Sequence, residues 1–205
     1  MKSVISYPYD VNQARAQLSS LSPQFATGAI RKERDQILPL LRNAPDLVMA
    51  ASTFFNFSPS LYAHELDLAG DFAADFVVSD NRDSESTALL IECEGCESNA
   101  AFKKRKKSKN RAMGNKLFEG FGQIVDWLRC IEDLRRTSQL ATTLKLPQTE
   151  AFNYHGLVLV GLDSDLGPDE QLRMGWLSSQ LEIGRTRVHI MTYTTFFNRL
   201  AARLI

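Results

Sequence analysis

The sequence predicts an α/β protein, a mixed β-sheet flanked by helices. Three observations point there. Apolar runs of strand length, alternating or continuous, recur at residues 61–78, 87–94, 154–162 and 186–193. The segment Met113 to Arg136 carries Leu117, Phe121, Ile124, Leu128 and Ile131 at three-four spacing, the period of a long amphipathic helix. The order of elements is helix, three antiparallel strands, long helix, then strand, helix, strand and helix. That order builds an α/β sandwich with a mixed sheet.

Residues 1–30 mix Pro, Ser, Gly and Tyr around a short helical pattern at Asn12 to Leu21, and read as an amino-terminal arm. The main domain is expected to occupy residues 31–205. From Arg31, Ile37, Leu38, Leu40, Leu41, Leu47 and Val48 recur on a helical period. Pro39 and Pro45 divide this stretch into two short helices. "LYAHELDLAGDFAADFVV" is two alternating runs about a turn at Ala69-Gly70-Asp71, a hairpin pattern. "TALLIECE", residues 87–94, is more continuously apolar and reads as a central strand. "YHGLVLVGL" and "TRVHIMTY" are the later strands. Pro168 followed by two acids opens the helix between them, and "TFFNRLAARLI" closes the chain as a helix.

A chain of 205 residues fits one domain with a sizeable core. The formal net charge is zero, so composition alone names no polyanionic partner. The charge is unevenly spread. "KKRKKSKNR", residues 103–111, holds Lys103, Lys104, Arg105, Lys106, Lys107, Lys109 and Arg111. Such a run is a solvated loop or a sequence-independent contact to nucleic-acid phosphates. No apolar run is long enough to span a membrane, and the start lacks the apolar centre of a signal peptide. Three cysteines do not make a disulfide framework, so a reducing, cytoplasmic setting is expected. Cys93-x-x-Cys96 lies in and after a strand rather than opening a helix, which speaks against a redox pair. A zinc site would need further paired ligands that the isolated His64, His155 and His189 do not offer.

The acids in strands raise the main question. Asp75 lies inside the hairpin's second strand, and Glu92 and Glu94 lie inside the central strand. Buried carboxylates are costly unless paired. Alternation puts Glu92 and Glu94 on one face, with Ile91 and Cys93 on the other. If the strands pair, Asp75 converges with them, and Glu65 from the first strand joins. Crowded acids become tolerable around a hard cation such as Mg²⁺, which suits phosphodiester hydrolysis. The alternative is a solvated face of a half-exposed sheet. In "QIVDW", Gln123 and Trp127 lie one helical turn apart, so Gln123 is either a phosphate or water contact or a polar neighbour of a buried indole.

Asp75, a sixteen-residue spacer, then Glu92-Cys93-Glu94 resembles the Asp…Glu-x-Lys signature of the PD-(D/E)xK nuclease superfamily. More specifically, residues 34–200 resemble the nuclease domain of the Shedu anti-phage defence family. The matching stretches are "LLRNAPDLV", "HELDLAGDFAADFVV", "LLIECE", "FGQIVDW" and "VHIMTY", in family order. The resemblance implies a restriction-endonuclease-like fold, a metal-dependent DNA endonuclease using Mg²⁺ or Mn²⁺, and a role against foreign DNA. It also implies homo-oligomers; a separate sensor or defence-system protein is a further candidate partner, which the resemblance does not itself supply. Asp75, Glu92 and Glu65 would hold the metal, while Glu94 and Gln123 would complete the catalytic set. The departure is Glu94, which stands where the superfamily has lysine. Lysine stabilises charge on the phosphate or positions water, and glutamate cannot. Lys103, Lys104 and Lys116 are candidates to supply the missing cation. Glu94 could instead add a metal ligand or orient water; the alternative is the same fold as a catalytically silent module that binds nucleic acid or a partner protein. DNA is the expected substrate, and RNA stays open.

Overall fold

The computed structural model describes residues 3–68, 72–80, 85–104, 110–137, 139–145 and 151–204. The expected turn at Ala69-Gly70-Asp71 lies outside the described residues, as do Arg105, Lys106, Lys107 and Lys109 of the basic run.

The described residues form a seven-stranded mixed sheet in the order β1-β2-β3-β4-β7-β9-β8. Its strands are β1 (Ile5–Ser6), β2 (Leu61–Asp67), β3 (Ala73–Ser79), β4 (Glu85–Cys93), β7 (Ala151–Leu159), β8 (Glu182–Ile183) and β9 (Thr186–Met191). β2, β3 and β4 pair antiparallel, whereas β4-β7 and β7-β9 are parallel. The sheet therefore changes character at β4. The helix α4 (Asn115–Arg136) makes the long crossover from β4 to β7 that a parallel pair requires. Between them, Phe102–Lys103 (β5) and Ala112–Met113 (β6) pair into a small ribbon.

Two apolar cores sandwich the sheet. On one face, Phe76, Val78, Leu89, Ile91, Cys93 and Leu157 pack against α1 (Val11–Ala26), α2 (Leu38–Arg42), α3 (Pro45–Met49) and α7 (Tyr193–Arg203). On the other, Ala63, Val77, Ala88, Leu90, Val158 and Ile190 pack against α4, α5 (Leu140–Leu144) and α6 (Pro168–Gln180).

The expected arm is not a separate arm. Asp10 caps α1 by accepting the N–H groups of Asn12 and Gln13. Ala14, Leu18, Leu21 and Phe25 then bury one helical stripe in the first core. β1 adds a strand beside β2. The stripe is what composition obscured: four apolar positions at three-four spacing suffice to dock a helix that is otherwise polar.

Candidate active site

The geometry of the site begins with an interruption of the sheet. The β2-β3 register pairs His64 with Phe76 and Leu66 with Ala74, and the intervening pair, Glu65 and Asp75, drops out of the ladder. The β3-β4 register runs from Ser79 opposite Ala88 to Phe76 opposite Ile91, and ends one step before Asp75 and Glu92. Glu65 has φ 50°, in the left-handed region. Alternation breaks at the same place. Ala74 packs into the α4-side core and Phe76 into the opposite one, though they are two residues apart. A regular strand would put both on one face. Asp75 Oδ2 accepts the N–H of Cys93 at 2.9 Å, so a side chain bridges the strands where the ladder ends.

Glu92 follows the regular alternation and faces α4 together with Leu90 and Ala88. It is 3% exposed. Gly120 of α4 lets the helix sit close, because a Cβ there would meet Glu94 Cγ and Val158 Cγ1 at 2.9 Å each. One turn along, Gln123 Nε2 donates to Glu92 Oε1 at 2.7 Å. The carboxyls of Asp75 and Glu92 lie close enough on the adjacent strands for the charge of Asp75 to oppose ionisation of Glu92. Burial raises the pKa of Glu92, and the charges of Asp75, Glu94 and Glu33 raise it further. Burial likewise raises Asp75, partly offset by the Cys93 N–H.

Glu94 is 1% exposed, and its Oε2 lies 2.9 Å from Lys116 Nζ. This ion pair is the contact the buried oxygen makes. Burial raises the Glu94 pKa, while Lys116 pulls it back. Lys116 also reaches Glu33 Oε2 at 3.1 Å and Glu119 Oε2 at 3.2 Å. Partial burial disfavours its charge, but these acids outweigh that and hold its pKa above the usual lysine value. The backbone around Glu94 is pinned on two sides: its N–H donates to the Leu159 carbonyl at 2.8 Å, and Tyr193 Oη donates to its carbonyl at 2.9 Å.

These groups line a cleft of about 790 Å³ at the carboxyl end of β4. Open α/β sheets place their ligand crevices at such ends, where the sheet's connectivity changes. Glu33, Glu65, Glu119 and Asp126 add further acid to the lining, against Arg34, Arg42 and Lys116. Glu65 is at the cleft but its Oε1 accepts from Arg42 at 2.6 Å. Among the described residues, no three His, Cys, Asp or Glu side chains are grouped closely enough to hold a metal ion. The structure thus brings Asp75, Glu92 and Gln123 into contact, joins Glu94 to Lys116, and pairs Glu65 with Arg42.

Of the lysines considered, Lys116 is the one in the cleft. Lys103 contacts Asn115 instead. The guanidinium of Arg111 donates to the carbonyls of Asp165 at 2.8 Å and Ser98 at 2.9 Å, and to Phe102 O. These contacts tie Arg111 to the backbone around the β5-β6 ribbon. Glu33, Arg34 and Arg42 did not emerge from the sequence. They come from helical turns far upstream, and only the tertiary fold carries them to β4. A π-helical turn at Glu33–Ile37 sets Glu33 over Lys116, and nothing in the residue pattern announces it. Cys93, Cys96 and Cys130 are buried free thiols. Burial pushes both Cys93 and Cys96 well above the usual thiol pKa, which removes the basis for thiol redox chemistry.

Fold and site together define a class: a mixed-sheet α/β sandwich with a buried carboxyl centre, capped by a lysine, at the end of its middle strand. The family model described as "Shedu protein SduA, C-terminal" matches residues 31–197, and the chain belongs to that family. No curated protein matches the chain.

Proposed function

We propose that this chain is a divalent-metal-dependent nuclease with the PD-(D/E)xK, restriction-endonuclease-like fold, hydrolysing DNA phosphodiesters. Family membership suggests a role in anti-phage defence. The observation that carries the reading is the convergence of carboxyls at one end of the cleft: half-buried Asp75, held to the Cys93 N–H, and buried Glu92 and Glu94 on the neighbouring strand, where a cation could relieve their mutual repulsion. The residues fit such an ion. Mg²⁺ typically takes one or two carboxylates and keeps water or phosphate oxygens for its remaining positions. Asp75 and Glu92 would hold it, and Glu94, whose Oε2 pairs with Lys116, adds a further buried carboxylate to the same cleft lining. Glu65 is the outer candidate, at the expense of its pair with Arg42. When bound, the metal would polarise the phosphate and orient the attacking water.

The protein's own groups do the rest. Gln123 fixes the orientation of Glu92 and offers a polar edge to water or phosphate. Lys116 supplies the positive charge that Glu94 cannot, reaching the site from the helix rather than from the strand. Lys103, Lys104 and the loop beyond them would contribute sequence-independent affinity for the DNA backbone. In a catalytically silent alternative, Glu94 in the lysine position would leave binding alone; Lys116 beside it weakens that reading.

The test is cleavage of circular and linear DNA with Mg²⁺ or Mn²⁺. Asp75→Ala and Glu92→Ala are expected to abolish cutting while circular dichroism stays native. Lys116→Met is expected to slow it about a hundredfold. Parental rates in both carboxylate variants would refute the site. Salt-sensitive binding with no cutting under either metal would favour the silent module.

A further inference from the structure

Phe118 is 56% exposed although it lies on the helix that forms one wall of the catalytic cleft, and it is part of the cleft lining. Its neighbours on α4, Leu117 and Ile124, are buried in the core. The ring therefore spends its apolar surface on solvent at the mouth of an acidic cleft. One turn further on, Gly122 leaves bare backbone: a Cβ there would meet nothing within 4 Å. Residues four apart lie on one face of a helix, so Phe118 and the open backbone at Gly122 share one side of α4, a shelf bordering the cleft. Gln123, the next residue, touches Glu92. The shelf thus ends at the carboxyl centre.

The same cleft is lined by Arg34, which is exposed and, among the described residues, has no ion pair or hydrogen bond. Arg42 is held by Glu65, and Lys116 by three acids. Arg34 is accordingly the cleft cation left over for a ligand. An exposed aromatic ring and an uncommitted guanidinium lining one cleft suit the two halves of a nucleotide strand: a base stacks on the ring, and a phosphate of the same strand pairs with the arginine. A base inside a duplex presents only its edges, so its face is unavailable for such stacking.

We infer that the Phe118–Gly122 shelf and Arg34 form a binding subsite for an unstacked nucleotide, which makes single-stranded nucleic acid, or a strand splayed from a duplex, the preferred ligand of this cleft. This rests on the nuclease reading for the identity of the site, but it concerns binding, which is measurable whether or not cleavage occurs.

The experiment uses single-stranded DNA oligonucleotides carrying one 2-aminopurine, a base whose fluorescence is quenched by stacking, titrated with the full chain in Mg²⁺. Cleavage is read separately on gels. Quenching at one strand position is expected, with affinity above that for the matched duplex. Phe118→Leu should restore the fluorescence and weaken strand binding about tenfold, while Phe118→Trp retains both. Arg34→Gln should weaken binding and reduce the salt dependence by about 0.7 in log–log slope, the value of one single-strand phosphate contact. Quenching that survives Phe118→Leu, or equal affinity for duplex and single strand, would overturn the subsite. So would a change of oligomeric state in Phe118→Leu with strand binding intact, because the ring would then belong to a protein interface. If quenching depends on Phe118 and no DNA is ever cut, the subsite stands and the hydrolytic reading falls. The reverse pattern removes the subsite alone.

Discussion

Glu92 sits where its charged form is least welcome, screened from water and facing the charges of Asp75, Glu94 and Glu33. Its pKa is raised from the ordinary carboxylate range to about 10 in the folded state. The folded protein therefore binds a proton that the unfolded chain has released at neutral pH. The resulting stability is fully present below the ordinary carboxylate pKa and is lost progressively as pH rises toward the raised value. Glu92→Gln keeps the shape and an acceptor for Gln123 but removes the ionisation. Without divalent metal, the variant should be more stable than the parent at pH 8 by about 2 kcal/mol, roughly 5 °C in melting temperature. It should also show a shallower loss of stability between pH 5 and 9. Thermal melts across that range decide the matter, and parallel slopes for the two proteins would mean Glu92 is not strained. At this scale, much of the site was legible. Glu92 and Glu94 follow from period two, and Gln123 from its place on an amphipathic helix. Lys116 was one of three lysines that spacing alone could not rank. Glu33 was out of reach, since an isolated acid in a polar helical turn shows no sign of the lysine it will meet.

At the scale of elements, the long strands and helices could be read because each repeats its period several times. The hairpin, β4, α4, α6 and α7 all stand within a few residues of where the sequence predicts them. The segments that could not be read are short. β1, β8 and the β5-β6 ribbon are two-residue strands, and α5 is a single short helix. Two residues hold no period, and such strands exist only by virtue of their partner. Asp75 lies between these cases. Its strand was legible, but the break in alternation at Glu65 and Asp75 was not, because it arises from two neighbouring strands distorting together. The packing of α4 on β4 offers a direct test of how tightly the elements constrain the site. Gly120→Ala would push a methyl against Glu94 Cγ and Val158 Cγ1, and should destabilise the protein by about 1–3 kcal/mol. Gly122→Ala, two residues away with open space around it, should instead stabilise α4 by up to about 1 kcal/mol through helix propensity. Urea midpoints that shift the same way for both would show that α4 does not press on the carboxyl strand.

At the scale of the molecule, the helices on the two faces of the sheet meet at the acids from opposite directions. α4 supplies Gln123 and Lys116 from one face. From the other, Tyr193 at the start of α7 reaches the backbone carbonyl of Glu94. Tyr193 is itself held by the amino-terminal helix: the Phe25 ring stacks on it at 4.9 Å, tilted by 20°, and also contacts Phe197 at 4.9 Å. Phe25 is fully buried. The family match begins at residue 31, so α1 lies outside the matched segment yet completes the core beneath the site. Phe25→Ala should cost about 3–5 kcal/mol by opening a cavity against Tyr193 and Phe197. A milder substitution, Phe25→Leu, should keep the fold while loosening Tyr193. Because Tyr193 pins Glu94, that variant should cut DNA more slowly under conditions where urea unfolding shows it fully native. If residues 31–205 alone unfold cooperatively at the midpoint of the full chain and cut DNA equally well, then α1 is an ornament on the fold and the route from Phe25 through Tyr193 to Glu94 carries no force.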